Sequence, residues 1–396
     1  MNDFQKSIKA PKQDFFKSGK FRSFLTQAIV LFIVILSISW VVSNTATNMA
    51  ERGMANGFGF LWAPSNFDIS FLPFIDHSIS KSYFNVFLVG LLNTILVSVL
   101  GIFFATILGF LIGVGRLSNN FLINRFCSSY VELIRNIPLL LQIFFWYHAV
   151  LRILPKAKQS LEFKDSFFLN LKGLYIPKPV PETGFNYILI FFIISIIIVY
   201  ALYSYSKKKQ QITGKQLKIL FPSVLIIGLP IIFFSFLYNF PLTFEQPYLK
   251  GFNFKGGLRL IPELLALLLA LSLYTAAFIA ENVRSGIMAV SKGQKEAAKA
   301  VGLSPNQILR LIVIPQAMRI IIPPLTSQYL NLTKNSSLAV AIAYPDLVST
   351  FAGTAMMQTG QAVEILAMTM AVYLFLSLTI SLFMNWYNSA VAIKDR

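Results

Sequence analysis

A stripe of polar side chains lies within an apolar stretch in the last third of the chain. Ser327, Asn331, Lys334 and Asn335 recur at intervals of three and four residues, which places them on one face of a helix. An ammonium group and amide N–H groups at this spacing could bind the carboxylate of a small molecule. The alternative is structural, because Asn and Ser also bond neighbouring helices and a Lys can extend its ammonium toward the membrane surface.

Groups suited to catalysis or metal binding are few. The chain has one cysteine, Cys127, and two histidines, His77 and His148. It contains neither a nucleotide-binding G-x-x-x-x-G-K-[ST] loop nor the H-E-x-x-H and G-x-S-x-G motifs of hydrolytic enzymes. We therefore expect no metal, no cofactor bound by this chain and no enzymatic activity. Glu281 and Arg284, one helical turn apart, are predicted to form a surface ion pair.

The composition predicts a membrane protein. Hydrophobic residues make up 56% of the 396 residues and charged residues only 13%. So few charges cannot cover a water-facing surface, which excludes soluble and disordered proteins. Apolar runs near the ~20 residues that span a bilayer occur at about 24–43, 85–114, 137–154, 186–205, 219–240, 260–283, 325–343 and 364–388. The predicted fold class is all-α, a polytopic membrane helical bundle with about eight transmembrane helices.

The basic residues orient this bundle. Lys and Arg favour cytoplasmic loops, so the N-terminal tail 1–23, with six of them, is predicted to be cytoplasmic. An even number of spans then places the C-terminus on the same side, together with the basic loops 206–218 and 284–320. Residues 152–178 are an exception, because they carry six basic residues on the predicted outer side. The net charge of +18 thus indicates topology and contact with the anionic lipids of the bilayer, and no nucleic-acid partner.

The polar stripe belongs to the seventh predicted span, which follows Pro323 and Pro324. Two consecutive prolines interrupt the hydrogen bonds of a regular helix, so we expect the helix to begin after them. Lys334 lies nine residues past Leu325, which is about 14 Å along a helix and near the middle of the bilayer.

A polar loop with strong helix signals precedes this span, with the sequence SKGQKEAAKAVGLSPNQILRLIVIPQAMRIIIPP at residues 291–324. Ser291 and Ser304 each begin a capping box, and Gly302 is predicted to end the first helix in a left-handed conformation. Two short helices joined by a Gly-Leu turn are expected, with Ala297, Ala298 and Val301 on one apolar face. Such a unit suits docking to a partner, and a solvated amphipathic linker on the membrane surface is the alternative.

This loop resembles the EAA loop of ABC-importer permeases, in which E-A-A, three residues, G, nine residues and I-x-L-P follow one another. The matching positions are Glu296, Ala297, Ala298, Gly302, Ile312 and Pro315, with Ile314 at the Leu position. Residues 83–119, 132–145, 280–287 and 331–348 also resemble the permeases of polar amino acid importers. The first span and the region 155–259 resemble additions in the long permeases of general L-amino acid importers.

The resemblance implies a type I ABC importer (MetI-like) permease fold. It implies a membrane-spanning subunit that translocates L-amino acids across the inner membrane, with ATP hydrolysed by a separate subunit. The expected partners are two copies of an ATP-binding subunit, a second permease subunit in a heterodimer, and a periplasmic amino acid-binding protein. The EAA residues would couple to the ATPase, and Asn331, Lys334 and Asn335 are predicted to meet the amino acid substrate.

The predicted organisation is a cytoplasmic tail at 1–23, an anchor at 24–43 and a permease domain at 83–390, which includes the inserted region 155–259 and the cytoplasmic coupling loop 284–320. A self-sufficient secondary transporter or channel is the main alternative. Such carriers usually show internal repeats or broken helices in paired positions, whereas Pro323-Pro324 has no evident counterpart here. A membrane-bound enzyme is the third alternative, and it lacks a catalytic cluster.

Overall fold

The computed structural model describes residues 19–51, 57–214 and 219–391, and this part of the chain is mainly helical. Its helices are α1 (Gly19–Glu51), α2 (Tyr83–Gly115), α3 (Phe121–Asn136), α4 (Leu139–Phe144), α5 (Phe185–Thr213), α6 (Leu220–Leu237), α7 (Pro262–Met288), α8 (Lys292–Ala300), α9 (Pro305–Ile308), α10 (Ile314–Asn335), α11 (Met356–Thr359) and α12 (Ala362–Val391). Most of the predicted tail 1–23 lies outside the described residues.

Other helical segments among the described residues have π-helical turns, which are wider than α-helical ones, or 3-10 turns, which are tighter. Three π-helical segments are Phe145–Val150, Leu309–Val313 and Val348–Ala355. Four 3-10 segments are Gly59–Trp62, Leu151–Ile153, Ala157–Gln159 and Ser336–Ile342. Phe145–Val150 and Leu151–Ile153 continue α4 in the third crossing, and Ser336–Ile342 continues α10 in the seventh.

Short strands form a small module that the helix patterns did not predict. They are β1 (Leu161–Phe163), β2 (Phe167–Asn170), β3 (Gly173–Ile176), β4 (Lys178–Pro181), β5 (Leu242–Glu245), β6 (Tyr248–Lys250), β7 (Asn253–Lys255) and β8 (Leu258–Leu260). Strands β1, β2, β3 and β8 form one antiparallel sheet, and β4–β5 and β6–β7 form two further pairs. We call residues 152–184 and 241–261 the β-module. The prediction of an all-α bundle holds for the membrane-crossing part.

Helix α7 lies at the centre of the bundle and is buried on most of its circumference. Its fully buried residues are mostly small or aliphatic, and include Ala266, Leu267, Ala270, Leu271, Ala276, Ala277, Ile279 and Ala280. Helix α2 packs closely along it, because a Cβ atom at Gly109 would lie 2.6 Å from the side chain of Ile279. Small residues at a helix contact let the two backbones approach.

Contacts at the two ends of α7 fix the direction of the neighbouring segments. At its start, beside the β-module, Glu263 accepts a hydrogen bond of 2.9 Å from the Tyr147 hydroxyl. Near its end, Glu281 pairs with Arg116 after α2 and lies 3.9 Å from Arg135 of α3. The two glutamates are 18 positions apart, or about 27 Å along a helix. The chain therefore crosses most of the bundle between Arg135 and Tyr147.

This third crossing is short and sharply bent at its start. Helix α3 and the helical stretch Leu139–Ile153 meet at 106°, because Ile137 before Pro138 has extended backbone angles. Helix α3 buries only Val131. With this crossing, the seven described helices that are long and apolar enough to span a membrane become eight segments, the predicted number.

The seventh crossing differs from its prediction. Helix α10 runs through Pro323 and Pro324 without ending, so the expectation that the helix begins after them is wrong. The adjoining Ile321 and Ile322 are buried, and Ile321 packs against Gly286 of α7, which holds the helix despite the missing N–H donors. The regular helix ends instead at Asn335, before the 3-10 segment.

Helices α5 and α6 form a hairpin that emerges from the β-module between β4 and β5. They pack on each other through stacked rings, with 4.4 Å between the ring centroids of Phe191 and Phe234. Helix α6 has no buried residue and α5 has only Ser195 and Ser206. The hairpin therefore stands beside the bundle and presents apolar side chains on nearly all sides.

Candidate functional site

A short, capped helix lies at the end of the bundle opposite the β-module. Ser291 caps α8 by accepting a hydrogen bond of 3.4 Å from the Gln294 N–H. Gly302 follows the helix with a φ of +82°, the left-handed conformation predicted from sequence. A Cβ atom at Gly302 would meet nothing within 4 Å, so only the backbone angle favours glycine there. These signals fix where α8 begins and ends.

The two faces of α8 differ, which corrects the single apolar face predicted for it. Ala298 is buried in the same cluster as Ile308 and Val313. Ala297 is exposed, and Val301 after the helix is 76% exposed. Successive helix positions differ by about 100°, so Ala298 can face the bundle while Ala297 faces away from it. Glu296 is also exposed, and α8 therefore presents a mixed acidic and small apolar surface.

The second helix of the loop is longer than predicted. Ser304 starts it, its N–H bonded at 2.8 Å to the Gln307 side chain in the predicted capping box. Through a π-helical turn at Leu309–Val313 it then continues directly into α10. Pro315 cannot donate a hydrogen bond to the preceding turn, which accounts for the wider turn there. Ile312 and Pro315 are half-buried where the two helical stretches join.

A cluster of charged groups lies at the same end of the bundle. Glu281 accepts a hydrogen bond of 2.6 Å from Arg284, the ion pair predicted from sequence, and it also pairs with Arg116. The Arg116 side chain is only 11% exposed. The pair is therefore part of a junction between α2 and α7, which reaches α3 through Arg135. Sequence spacing could not reveal Arg116 and Arg135, because both belong to other helices.

The polar stripe of α10 lies near the middle of the bundle. Tyr329 is hydrogen-bonded at 2.8 Å to Thr106 of α2, and Leu332 packs against Gly101, close to the midpoint of α2. The side chains of the stripe do not share one environment. Ser327, Asn331 and Lys334 are exposed and Asn335 is half-buried.

Lys334 lines a cavity of about 600 Å³ between α10, α12 and the π-helical segment Val348–Ala355. The other residues of its wall are Ser337, Val348, Ala352, Leu366, Thr369, Met370, Tyr373, Leu374 and Ser377. Asn331 and Asn335 are not part of this wall. Among the described residues Lys334 forms no ion pair. An ammonium and several hydroxyl groups in a mostly apolar cavity can bind a carboxylate.

Helix α12 contributes a polar face to this cavity, which the sequence patterns did not predict. Thr369, Tyr373 and Ser377 recur every four residues, so they share one helix face. That periodicity was readable in the sequence, although nothing there showed that this face meets Lys334. Within the described residues, no three His, Cys, Asp or Glu side chains come close enough to hold a metal ion.

Comparisons with known proteins place the chain among transporters. The family model described as "Binding-protein-dependent transport system inner membrane component" matches residues 213–393. The "Putative amino-acid ABC transporter permease protein YhdX" of Escherichia coli is 51% identical over 96% of this chain and 97% of that protein. The "General L-amino acid transport system permease protein AapQ" of Rhizobium johnstonii is 49% identical over 95% of this chain and 94% of its own length.

A solved structure described as "Crystal structure of an amino acid ABC transporter with histidines" aligns with a TM-score of 0.47 and 19% identity, over 78% of this chain and 95% of that chain. The matches to YhdX and AapQ extend over nearly the whole chain, the β-module and the α5–α6 hairpin included.

The family match confirms the predicted type I importer permease fold, and it confirms that ATP hydrolysis belongs to a separate subunit. The chain is a multi-pass protein of the inner membrane that works with ATP-binding and substrate-binding partners. It belongs to the family of amino-acid ABC transporter permeases, the membrane-spanning subunits of ATP-driven importers.

Proposed function

We propose that this chain is one half of a heteromeric pore for L-amino acids, completed by a second permease subunit and by two copies of the ATP-binding subunit. The relatives support this substrate class, since AapQ is a "General L-amino acid transport system permease protein". A third relative is the "Glutamate/glutamine/aspartate/asparagine transport system permease protein BztB" of Rhodobacter capsulatus, 40% identical over 95% of both chains.

In the proposed orientation the α8 end faces the cytoplasm and the β-module faces the periplasm. The charged residues support it, because the three consecutive lysines Lys207–Lys209 belong to the far end of α5 from the β-module. Glu364 at the start of α12 accepts a hydrogen bond of 2.6 Å from the Gly57 N–H, and the segment after Gly57 packs at the start of α2 through Phe60 and Tyr83. Helix α12 therefore runs toward the α8 end, and both chain termini are cytoplasmic in this arrangement.

The ATP-binding subunit docks on the exposed side of α8 in this proposal. Ala297 and Val301 are small enough to enter a groove on the ATP-binding subunit, and the carboxylate of Glu296 would lie at the edge of that contact. Ala298 holds α8 against the bundle from behind, and Gly302 provides the turn. Ile312 and Pro315 lie where the docking loop joins α10, so they connect this surface to the transmembrane helix. The chain binds no ATP itself, and ATP is used by the partner subunit.

The amino acid passes along the polar face of α10 in this proposal, and the position of Lys334 is the observation that carries it. An exposed ammonium halfway along a bundle is costly if it faces lipid, and much less so if it lines a water-filled path. Asn331 and Asn335 would add amide groups on either side of it. The ammonium would bind the substrate carboxylate, in a cavity whose wall also includes Thr369 and Tyr373 of α12.

Replacing Lys334 by Met tests this path, because Met keeps the length and apolar volume of the side chain and removes its charge. Loss of a charged hydrogen bond costs roughly 1.5–3 kcal/mol, so we expect a decrease of about ten- to a hundredfold in affinity for the substrate. The complex should assemble and keep basal ATP hydrolysis, but lose substrate-stimulated hydrolysis and uptake. The matched control is Lys208→Met, which removes a charge from an exposed lysine of α5.

Two outcomes would contradict the assignment of Lys334. Uptake kinetics equal to the Lys208→Met control across a range of amino acids would exclude it from the path. Failure of the Lys334→Met complex to assemble would indicate a structural role. Amino acid flux in liposomes that contain this chain alone would instead favour the secondary transporter.

A further inference from the structure

The β-module carries an unusual charge for its side of the membrane. It contains nine basic and four acidic residues, a net charge of +5. Residues 57–82, at the same end of the bundle, contain one lysine and two aspartates. The excess is therefore specific to the module, and it opposes the tendency of basic residues to stay in cytoplasmic segments.

Five of the nine basic residues of the module line a groove. Two adjoining cavities of about 500 and 700 Å³ share Leu171 and Lys172 in their walls. We call them together the cationic groove. Its cationic residues are Arg152, Lys156, Lys158, Lys172 and Arg259, and all are exposed. Its one carboxylate, that of Glu263, already accepts the hydrogen bond from Tyr147. The groove therefore presents several accessible positive charges with little internal compensation.

Neighbouring aromatic and backbone groups hold several of these cations in place. The Lys158 ammonium lies 4.3 Å from the ring centroid of Phe252, and the Arg152 guanidinium lies 5.7 Å from that of Tyr147. Arg259 donates a hydrogen bond of 2.9 Å to the Lys172 carbonyl. Such contacts reduce the side-chain entropy that binding would otherwise remove.

The rim of the groove also resembles a protein interface. Phe252 is 76% exposed and Ile153, beside Arg152, is 80% exposed. Aromatic residues and arginine are enriched in protein interfaces, and water-exposed aromatic rings are otherwise unfavourable. The two cavities are larger than one amino acid requires and open to the surface, which favours a macromolecular surface over a free amino acid.

We propose that the cationic groove docks an acidic surface of the soluble substrate-binding partner. The inference rests on the proposed orientation, in which the β-module faces the compartment of that partner. Complementary charge would steer the partner to the outer end of the α2–α7 bundle and fix its angle of approach. Lipid headgroups are the less favoured occupant, because the groove adjoins the membrane-crossing helices only at its start, beside the first turn of α7. From there it extends over the β-module to the β6–β7 turn at Phe252.

Charge reversal in the complete importer tests the groove. The complex is placed in nanodiscs of zwitterionic lipid, and the Kd of the purified substrate-binding protein of the same transport system is measured at about 50 and 200 mM salt. The Lys156→Glu/Lys158→Glu variant should bind at least about tenfold more weakly at low salt and depend less steeply on salt. The Lys156→Gln/Lys158→Gln variant should show an intermediate loss.

The matched control is Lys250→Glu/Lys255→Glu, which makes the same charge change on β6 and β7, outside the groove walls. It should bind within about twofold of wild type. Unchanged binding by the groove variants would overturn the proposal, and so would an equal loss in the control, which would show only a general charge effect. A loss that occurs with anionic but not zwitterionic lipid would assign the groove to headgroups.

This binding measurement is independent of the proposed substrate path. Lys334→Met should bind the substrate-binding protein with the wild-type Kd whether or not it transports. Normal docking with lost uptake in that variant, and lost docking in the groove variants, would establish the two proposals separately.

Discussion

Helices α6 and α7 are both apolar enough to cross a membrane, yet they are buried to opposite extents. Helix α7 has thirteen buried residues and α6 has none. Many of the buried α7 residues are Ala, Ser, Thr or Gly, whereas α6 consists largely of Phe, Leu and Ile. Apolar character therefore predicts that a helix enters the membrane, and the size of its residues decides whether other helices can pack closely around it.

The largest effect should come from adding a methyl group at the α2–α7 contact. The Cβ atom of Gly109→Ala would lie 2.6 Å from Ile279 and 3.1 Å from the Ala276 carbonyl, so the two backbones must separate. Overpacking of this kind costs roughly 1–3 kcal/mol or more. The control is Gly228→Ala in α6, which meets nothing within 4 Å and should be neutral or stabilising by up to about 1 kcal/mol.

Thermal unfolding of both variants in the same detergent measures this difference, together with the yield of folded protein. A Gly109→Ala variant as stable as the Gly228→Ala variant would show that the α2–α7 contact is not close-packed.

The bundle also has a charged junction, which the described residues of the α5–α6 hairpin lack. We expect a smaller effect on stability from Glu281→Gln, which removes the carboxylate of this junction. The change would leave the nearly buried Arg116 without its carboxylate partner. A charged hydrogen bond contributes roughly 1.5–3 kcal/mol, and the loss should lie near the lower end because Gln keeps a carbonyl oxygen that can accept from an arginine. The control is Glu245→Gln, an exposed carboxylate of β5, which should change the free energy of unfolding by less than about 0.5 kcal/mol.

The melting temperatures of both variants, measured at low and high salt, check this prediction. Equal values for Glu281→Gln and the wild type would mean that the junction does not stabilise the contact of α2 with α7.

The smallest effect on folding should come from Gly302→Val, since no neighbour lies near its Cβ position. A β-branched residue at a φ of +82° costs roughly 1–3 kcal/mol of local strain, confined to the turn after α8. We expect normal insertion of the subunit and weaker co-purification of the ATP-binding subunit. Gly302→Asn tolerates the left-handed conformation and should restore co-purification. Normal co-purification and uptake in Gly302→Val would contradict the coupling role.

Local signals in the sequence predicted several features of the docking loop and the bundle. The eight apolar runs, the cap at Ser304 and the left-handed Gly302 each depend on residues close together in the chain. The ion pair of Glu281 with Arg284 has the same local origin, since the two are one helical turn apart. These features could be read from the sequence because their physical cause lies within a few residues.

Features that depend on distant packing could not be predicted in this way. The helix continues through Pro323 and Pro324 because Ile321 and its neighbours are buried against α7, and nothing local reports that burial. The junction at Arg116 and the wall formed by Tyr373 also need the positions of other helices. The strands of the β-module are three or four residues long, too short for a clear alternation of apolar and polar residues.

The direct continuation of the docking loop into α10 has a mechanical consequence. From Pro305 to Asn335 the chain forms one helical rod of 31 residues, about 46 Å long. A tilt of about 5° at one end of such a rod displaces the other end by about 4 Å. A small movement of the surface that holds α8 would therefore be delivered, as by a lever, to the level of Lys334. The 3-10 turns after Asn335 would take up that displacement, because their i→i+3 hydrogen bonds have poorer geometry than those of an α-helix.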